Sequence, residues 1–144
     1  MIDGLTNSGS LPVLERMMQF SARRQDLIAN NIANLSTPNF RPSDVSVTDF
    51  QQQLRQAVDI RRGSAVGPAA DLHFEDSNEV QFTSDGVMLT PTPLGENVLF
   101  HDNNDRSVEN LMQDMVENLM AFRAAAQLHK SRIDLLNTAI RERM

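Results

Sequence analysis

The chain has 144 residues, enough for one domain with its own core, and no cysteine, so disulfides and thiolate chemistry are excluded. No stretch of eighteen apolar residues spans a bilayer, and the start, Met1-Ile2-Asp3-Gly4, lacks the basic and apolar regions of a secretory signal. The net charge of −6 falls wholly within residues 38–106; with Tyr and Trp also absent, this argues against DNA or RNA as a partner.

Residues 1–10 contain Gly4, Asn7, Gly9 and two serines and read as a flexible lead-in. Pro12 suits the first turn of a helix, where its missing N–H costs nothing. Leu14, Met18, Ile28, Ile32 and Leu35 then follow a four-three seam, with Ser21 and Gln25 as polar interruptions. Val13, Met17, Phe20 and Leu27 widen that face on one flank. The result is broader than a two-helix seam requires and leaves room for a further partner helix. Pro38 ends the segment, because the residue before a proline is pushed out of the α region.

Between residues 38 and 106 the pattern changes. Thr48 followed by Gln51 resembles a capping box, and Phe50, Leu54, Ala57 and Val58 recur at helical spacing, so a short helix is expected up to Gly63. Residues 63–70, with Gly67-Pro68, read as a loop. Val80-Gln81-Phe82 and Val87-Met88-Leu89 flank Ser84-Asp85-Gly86 and predict a hairpin with Gly86 at positive φ. A last extended piece, Val98-Leu99-Phe100, precedes the polar run Asp102 to Asp105.

Ser107 is the expected cap of the final helix, with Glu109 in its first turn and Arg141 and Arg143 in its last, as the macrodipole prefers. No Gly or Pro interrupts residues 107–144, which would form a rod of about 54 Å. Val108, Met112, Met115, Leu119, Phe122, Ala126, His129, Ile133, Leu136 and Ile140 alternate four and three along it. That is the repeat of a helix built to lie along another helix. His129 reads as a polar register point within this seam. The elements together predict a mainly α fold with three parts: a helix and lead-in at 1–37, a loop-rich α+β insert at 38–106 and a helix at 107–144. The terminal helices are expected to pack as an antiparallel coiled-coil-like pair.

Charge fits assembly. Both terminal segments are neutral, so they can pack against copies of themselves without long-range repulsion, while an acidic middle stays solvated. The plainer alternative is that loops are simply more acidic than helices. Catalytic signals are poor: His73, His101 and His129 share no metal-ligand spacing, and Asp102-Asn103-Asn104-Asp105 lacks the glycine of a calcium loop. There is no phosphate loop and no nucleophile motif, so an enzyme is not expected and no cofactor is implied.

The stretch Ala29-Asn30-Asn31-Ile32-Ala33-Asn34-Leu35-Ser36-Thr37-Pro38-Asn39-Phe40 closely resembles the signature near the N-terminus of bacterial flagellar rod and hook proteins. There a helix ends in A-N-N-I-A-N and is followed by T-P and an aromatic residue. Asp44, Val45, Phe50 and Leu54 are similar to the segment that follows it, as are Asn118, Phe122, Ala125, Leu128, Lys130, Leu135 and Ala139-Ile140 to the family's C-terminal helix. Departures are Phe40 and Phe122, where tyrosine is usual, and Asn39, where glycine is common; Asn tolerates positive φ better than most residues. The length resembles that of proximal rod members, and residues 63–100 match nothing recognisable.

The resemblance implies a structural subunit, exported through the flagellar type III apparatus without a cleaved signal. Such subunits polymerise in the periplasm into an axial tube that transmits torque and houses the export channel. Implied partners are copies of itself, other rod subunits, the base-ring adapter and the export apparatus, with no nucleic acid and no membrane insertion. The subunit contacts are expected along Leu14, Met18, Ile28, Ile32 and Leu35 and along the C-terminal seam from Met112 to Ile140. Asn30 points away from the first seam and Asn34 to one side; both are expected to contact another subunit, the plainer alternative being a solvated face. A cytoplasmic helical chaperone for type III secretion would share the length and acidity but would not need the Asn-rich turn.

Overall fold

The computed structural model describes residues 9–65, 70–83, 86–93 and 108–142. Expectations for residues 1–8, the loop at 66–69, Val98-Leu99-Phe100, His101, Asp102 to Asp105 and the Ser107 cap lie outside them. The described chain is mainly helical. Helix α1 is Leu11–Asn34, α2 is Val47–Gly63 and α3 is Val108–Arg141; short strands β1 (Ser43–Asp44), β2 (Val80–Thr83), β3 (Gly86–Leu89) and β4 (Thr92–Pro93) lie between. Helices α1 and α3 pack together.

Helix α1 starts with Pro12 in its first turn, as its fixed φ favours, and stops at Asn34, before the proline that bars continuation. The exit is a tight turn in which Phe40 N–H donates to the Thr37 carbonyl at 3.2 Å. Pro38 and Asn39 are its central residues, and Asn39 has φ 60°. A type II turn requires positive φ at that second position, which Asn supplies at less cost than a branched residue.

The cap of α2 differs from the expected Thr48 box. Ser46 is the cap, its Oγ accepting from Asp49 N–H at 3.1 Å. The Ser46 N–H is itself satisfied by Glu79 Oε2 at 2.8 Å, so a distant carboxylate takes the part of the box's reciprocal partner. Glu79 Oε1 accepts from the Thr92 hydroxyl, which brings the start of α2 beside β4. At the other end of α2, the buried Arg61 donates from Nη1 to the Gly9 carbonyl at 3.0 Å.

The hairpin forms as expected, β2 and β3 pairing antiparallel with Phe82 opposite Val87 and Thr83 opposite Gly86, whose φ is 147°. A second two-residue ladder pairs β1 with β4, Asp44 opposite Thr92. The core joins Phe20 of α1, Val45, Phe50 and Leu54 around α2, and Val80 and Val87 of the hairpin. Phe20 and Phe50 stack with ring centroids 3.9 Å apart. Val13, Met17 and Leu27 pack on this cluster, so the widened flank of α1 is occupied by the middle segment rather than by a further helix. Fully burying a side chain such as Phe20 or Phe50 contributes about 1.5–3 kcal/mol, which makes the middle segment a support for α1.

Candidate functional site

The surface that matters is the α1–α3 contact and what it leaves uncovered. Along α3 the buried residues are Leu111, Asn118 and Ala125, one heptad apart. Opposite them α1 buries Leu11, Leu14, Ser21, Arg24 and Ile28. Asn118 sits in the middle of this face. Its Nδ2 donates to the Ser21 carbonyl at 2.8 Å and to Gln25 Oε1 at 2.8 Å. The two polar interruptions of the α1 seam are thus the docking point for one buried amide. A single amide at such a position fixes the register of two helices. The residue expected to play that part, His129, lies half-exposed further along α3.

Arg24 is the second polar anchor. Its guanidinium grips Asp44 of β1 with Nε at 3.0 and 3.2 Å from the two carboxylate oxygens and Nη2 at 2.6 Å. The same Nη2 lies 3.8 Å from Asp114 Oδ1 on α3. Burial lowers the arginine's pKa, but the bond to Asp44 and the charges of Asp44, Asp114 and Glu117 outweigh it, and the net direction is upward. Asp114 has the opposite problem. Burial pushes its carboxyl up, and repulsion by Asp44 and Glu117 adds to this against the attraction of Arg24.

The asparagine-rich end of α1 divides its amides by role. Asn31 is buried and clamps the backbone of Ser43 in both directions: Nδ2 donates to the Ser43 carbonyl at 2.7 Å, and Oδ1 accepts from its N–H at 3.2 Å. This fixes the chain that returns from the Thr37-Pro38 turn and so positions Asp44 for Arg24. Asn30 is exposed, and Asn34 donates to its side-chain oxygen at 2.6 Å and its carbonyl at 2.9 Å. Ala29, Ala33, Thr37 and Pro38 are exposed; Ile32, Leu35 and Phe40 are half-buried.

The expected seam residues separate into three groups. Leu14 and Ile28 are buried within the chain; Met18, Met115, Leu119, Phe122, Ala126, His129 and Leu136 are half-buried. Met112, Ile133 and Ile140 are exposed, as is Val108. The face that α3 buries against α1 lies one residue toward the N-terminus of the seam read from the sequence, sharing Met115, Phe122 and His129 with it. Val108, Met112, Ile133 and Ile140, joined by Val116 and Met120 at 54% and 59% exposure, are apolar side chains left largely uncovered by the described residues. From Lys130 to Arg141 every side chain of α3 except Leu136 is exposed.

Arg24 was not singled out in the sequence, and Asn31 and Asn118 were named only among the residues that carry the family resemblance. For Asn118 a signal existed: one amide in α3 matched two polar interruptions in α1. Among the described residues no helix is long and apolar enough to cross a membrane.

A family model described as flagella basal body rod protein matches residues 14–41, from the buried face of α1 to the turn after it. The chain is similar to the flagellar basal body rod protein FlgB of Borrelia hermsii, 25% identical over 135 residues covering 92% of this chain and 96% of that protein. It is similar to FlgB of Bacillus subtilis (strain 168), 25% identical over 133 residues covering 92% and 94%. With FlgB of Yersinia enterocolitica it is 33% identical over 72 residues, half of this chain and 49% of the other.

Proposed function

We propose that this chain is a structural subunit of the flagellar basal body rod and that its terminal helices are the polymerising elements of the proximal part, as the match of α1 to the rod family and the likeness to FlgB proteins along nearly its whole length support. Assembly with other rod subunits follows from the family. The finer reading is mechanical. Helices α1 and α3 form an antiparallel coiled-coil-like pair that lines an axial tube in the periplasm, transmits torque and leaves a channel for later exports. The direction is supported by register, since Arg24 meets Asp114 while the earlier Ser21 meets the later Asn118. The base-ring adapter and the type III export apparatus are further partners on this reading, with export needing no cleaved signal.

One observation carries the proposal: α3 keeps large apolar side chains exposed after α1 has covered one face, with Val108, Met112, Val116 and Met120 in one stripe and the others beyond it. Val108, Met112, Val116, Met120, Leu128, Ile133, Leu135 and Ile140 are each at least 39% exposed. A surface of that extent on one helix marks an interaction site rather than a solvated face. Asn30 and Asn34, bonded to each other at the end of α1, present amides on which a second neighbour can register. The test is complementation of a strain lacking this chain, with purified basal bodies probed for the protein. Wild type should be recovered in rods and restore swimming. A variant carrying Met112→Asp and Met120→Asp should be exported as a folded chain yet absent from rods. Its normal incorporation would contradict the proposal.

A further inference from the structure

Between the three helices lies an open groove of about 340 Å³ that the α1–α3 contact does not fill. Its apolar lining includes Met17, Phe20, Phe50 and Leu54, and Asp114 and Glu117 line it beside them. The electrostatics there are unbalanced. Three carboxylates, Asp44, Asp114 and Glu117, act on Arg24, whose guanidinium bonds Asp44 at 2.6 Å and lies 3.8 Å from Asp114. An apolar lining with carboxylates beside it suits an apolar side chain with a cation beside it.

The chain offers that combination at the far end of α3. Charge is segregated along this helix: residues 108–122 hold Glu109, Asp114 and Glu117 and no base, whereas residues 130–141 hold Lys130, Arg132 and Arg141 with one acid, Asp134. Arg132 is flanked at helical spacing by Leu128 and Leu135, which are 57% and 60% exposed. Both belong to the apolar side chains that α1 leaves uncovered among the described residues. The end of α3 cannot serve its own groove, because Arg132 lies fifteen residues from Glu117 on one helix, about 22 Å along the axis.

We propose that Arg132 and Leu135 of one copy seat in the groove of a second copy, the guanidinium on Asp114 and Glu117 and the leucine on the apolar lining beside them. This rests on reading the chain as an assembling subunit and names the contact between copies. Groove and helix end are different surfaces, so the contact is head-to-tail and each junction leaves one free groove and one free end. Such a contact propagates along an axis instead of closing as a dimer.

The test is sedimentation of the full chain as a function of concentration. Wild type should self-associate into species larger than dimers, more weakly as salt rises. Arg132→Glu and Glu117→Arg should each weaken association about tenfold or more while keeping the wild-type helical spectrum and melting temperature. Mixed in equal amounts, the two variants should associate again, because every junction in the mixture pairs an arginine with a glutamate. Should either substitution unfold the chain, Arg132→Gln and Glu117→Gln replace it and must still weaken association. Wild-type association unchanged in both variants, a closed dimer, no recovery on mixing, or a wild type that stays monomeric at about 1 mM would each overturn the contact. Recovery of the Arg132→Glu chain in basal bodies at wild-type level would also overturn it, while leaving the rod assignment standing.

Discussion

Asn118 and Ser21 are 97 residues apart in the chain and share a 2.8 Å hydrogen bond in the middle of the α1–α3 contact. The other buried residues of α3 are apolar, Leu111 and Ala125 a heptad to either side. A seam of leucine and alanine alone would tolerate sliding by seven residues; the amide does not.

Asn118→Leu should therefore cost only about 1–2 kcal/mol, since the apolar side chain gains burial while two hydrogen bonds are lost. Its effect should appear in register. The chain lacks cysteine, so spin labels placed through Ala22→Cys and Met120→Cys report one distance without background. Wild type should give a single narrow distance, and Asn118→Leu a broadened or second population. One unchanged narrow distance would remove the register role.

Arg24 and Asp114 should respond in opposite directions. Arg24→Met leaves Asp44 inside the fold without its cation, and breaking such a pair from one side costs roughly 3 kcal/mol. Asp114→Asn should leave stability unchanged or raise it at neutral pH, because folding holds this carboxyl above its ordinary pKa. The sign follows from linkage: the ionised form is disfavoured in the native state, so the penalty is present at neutral pH and is relieved as pH falls through the folded pKa. Urea titrations at pH 7 and under mild acid check both, and a large loss in Asp114→Asn would contradict the assignment.

The two amides of one turn should also separate. Asn31→Ala removes both bonds to Ser43 and should cost about 1–3 kcal/mol, whereas the exposed Asn30→Ala should stay within about 0.5 kcal/mol. Equal losses by chemical denaturation would mean that the clamp on Ser43 adds nothing.

Much of this was legible in the residues. The periods of α1 and α3, the hairpin around Gly86 and the turn at Pro38-Asn39 each have a local cause, and local causes can be read from sequence. The seam of α3 was placed one residue off because the column that packs on α1 contains Asn118, while the neighbouring column, Met112, Leu119, Ala126 and Ile133, is apolar throughout. Periodicity favours the greasier column; the fold used the one whose amide had a partner. The cap of α2 went to Ser46 because Glu79, more than thirty residues away, reaches its N–H, and no local pattern contains that fact. Strands of two residues, β1 and β4, have no period to detect. Arg24 has no local signal, because its partner Asp44 lies twenty residues on in a segment with no period to detect.

Backbone demand at the turn gives a further check. Asn39 adopts φ 60°, so Asn39→Gly should be neutral or slightly stabilising, whereas Asn39→Val should cost about 1–2 kcal/mol. Thermal melts of the two variants decide it, and equal melting temperatures would mean that the turn can relax.

The central claim is that the face of α3 left open by α1 is covered by other rod subunits. A side-chain-resolution map of the assembled rod tests it most directly. The account predicts Met112, Val116, Met120, Ile133 and Ile140 buried against neighbouring chains, with the α1–α3 register held by Asn118 unchanged. A rod in which these five side chains face solvent, and neighbouring subunits touch only residues 38–106, would contradict it.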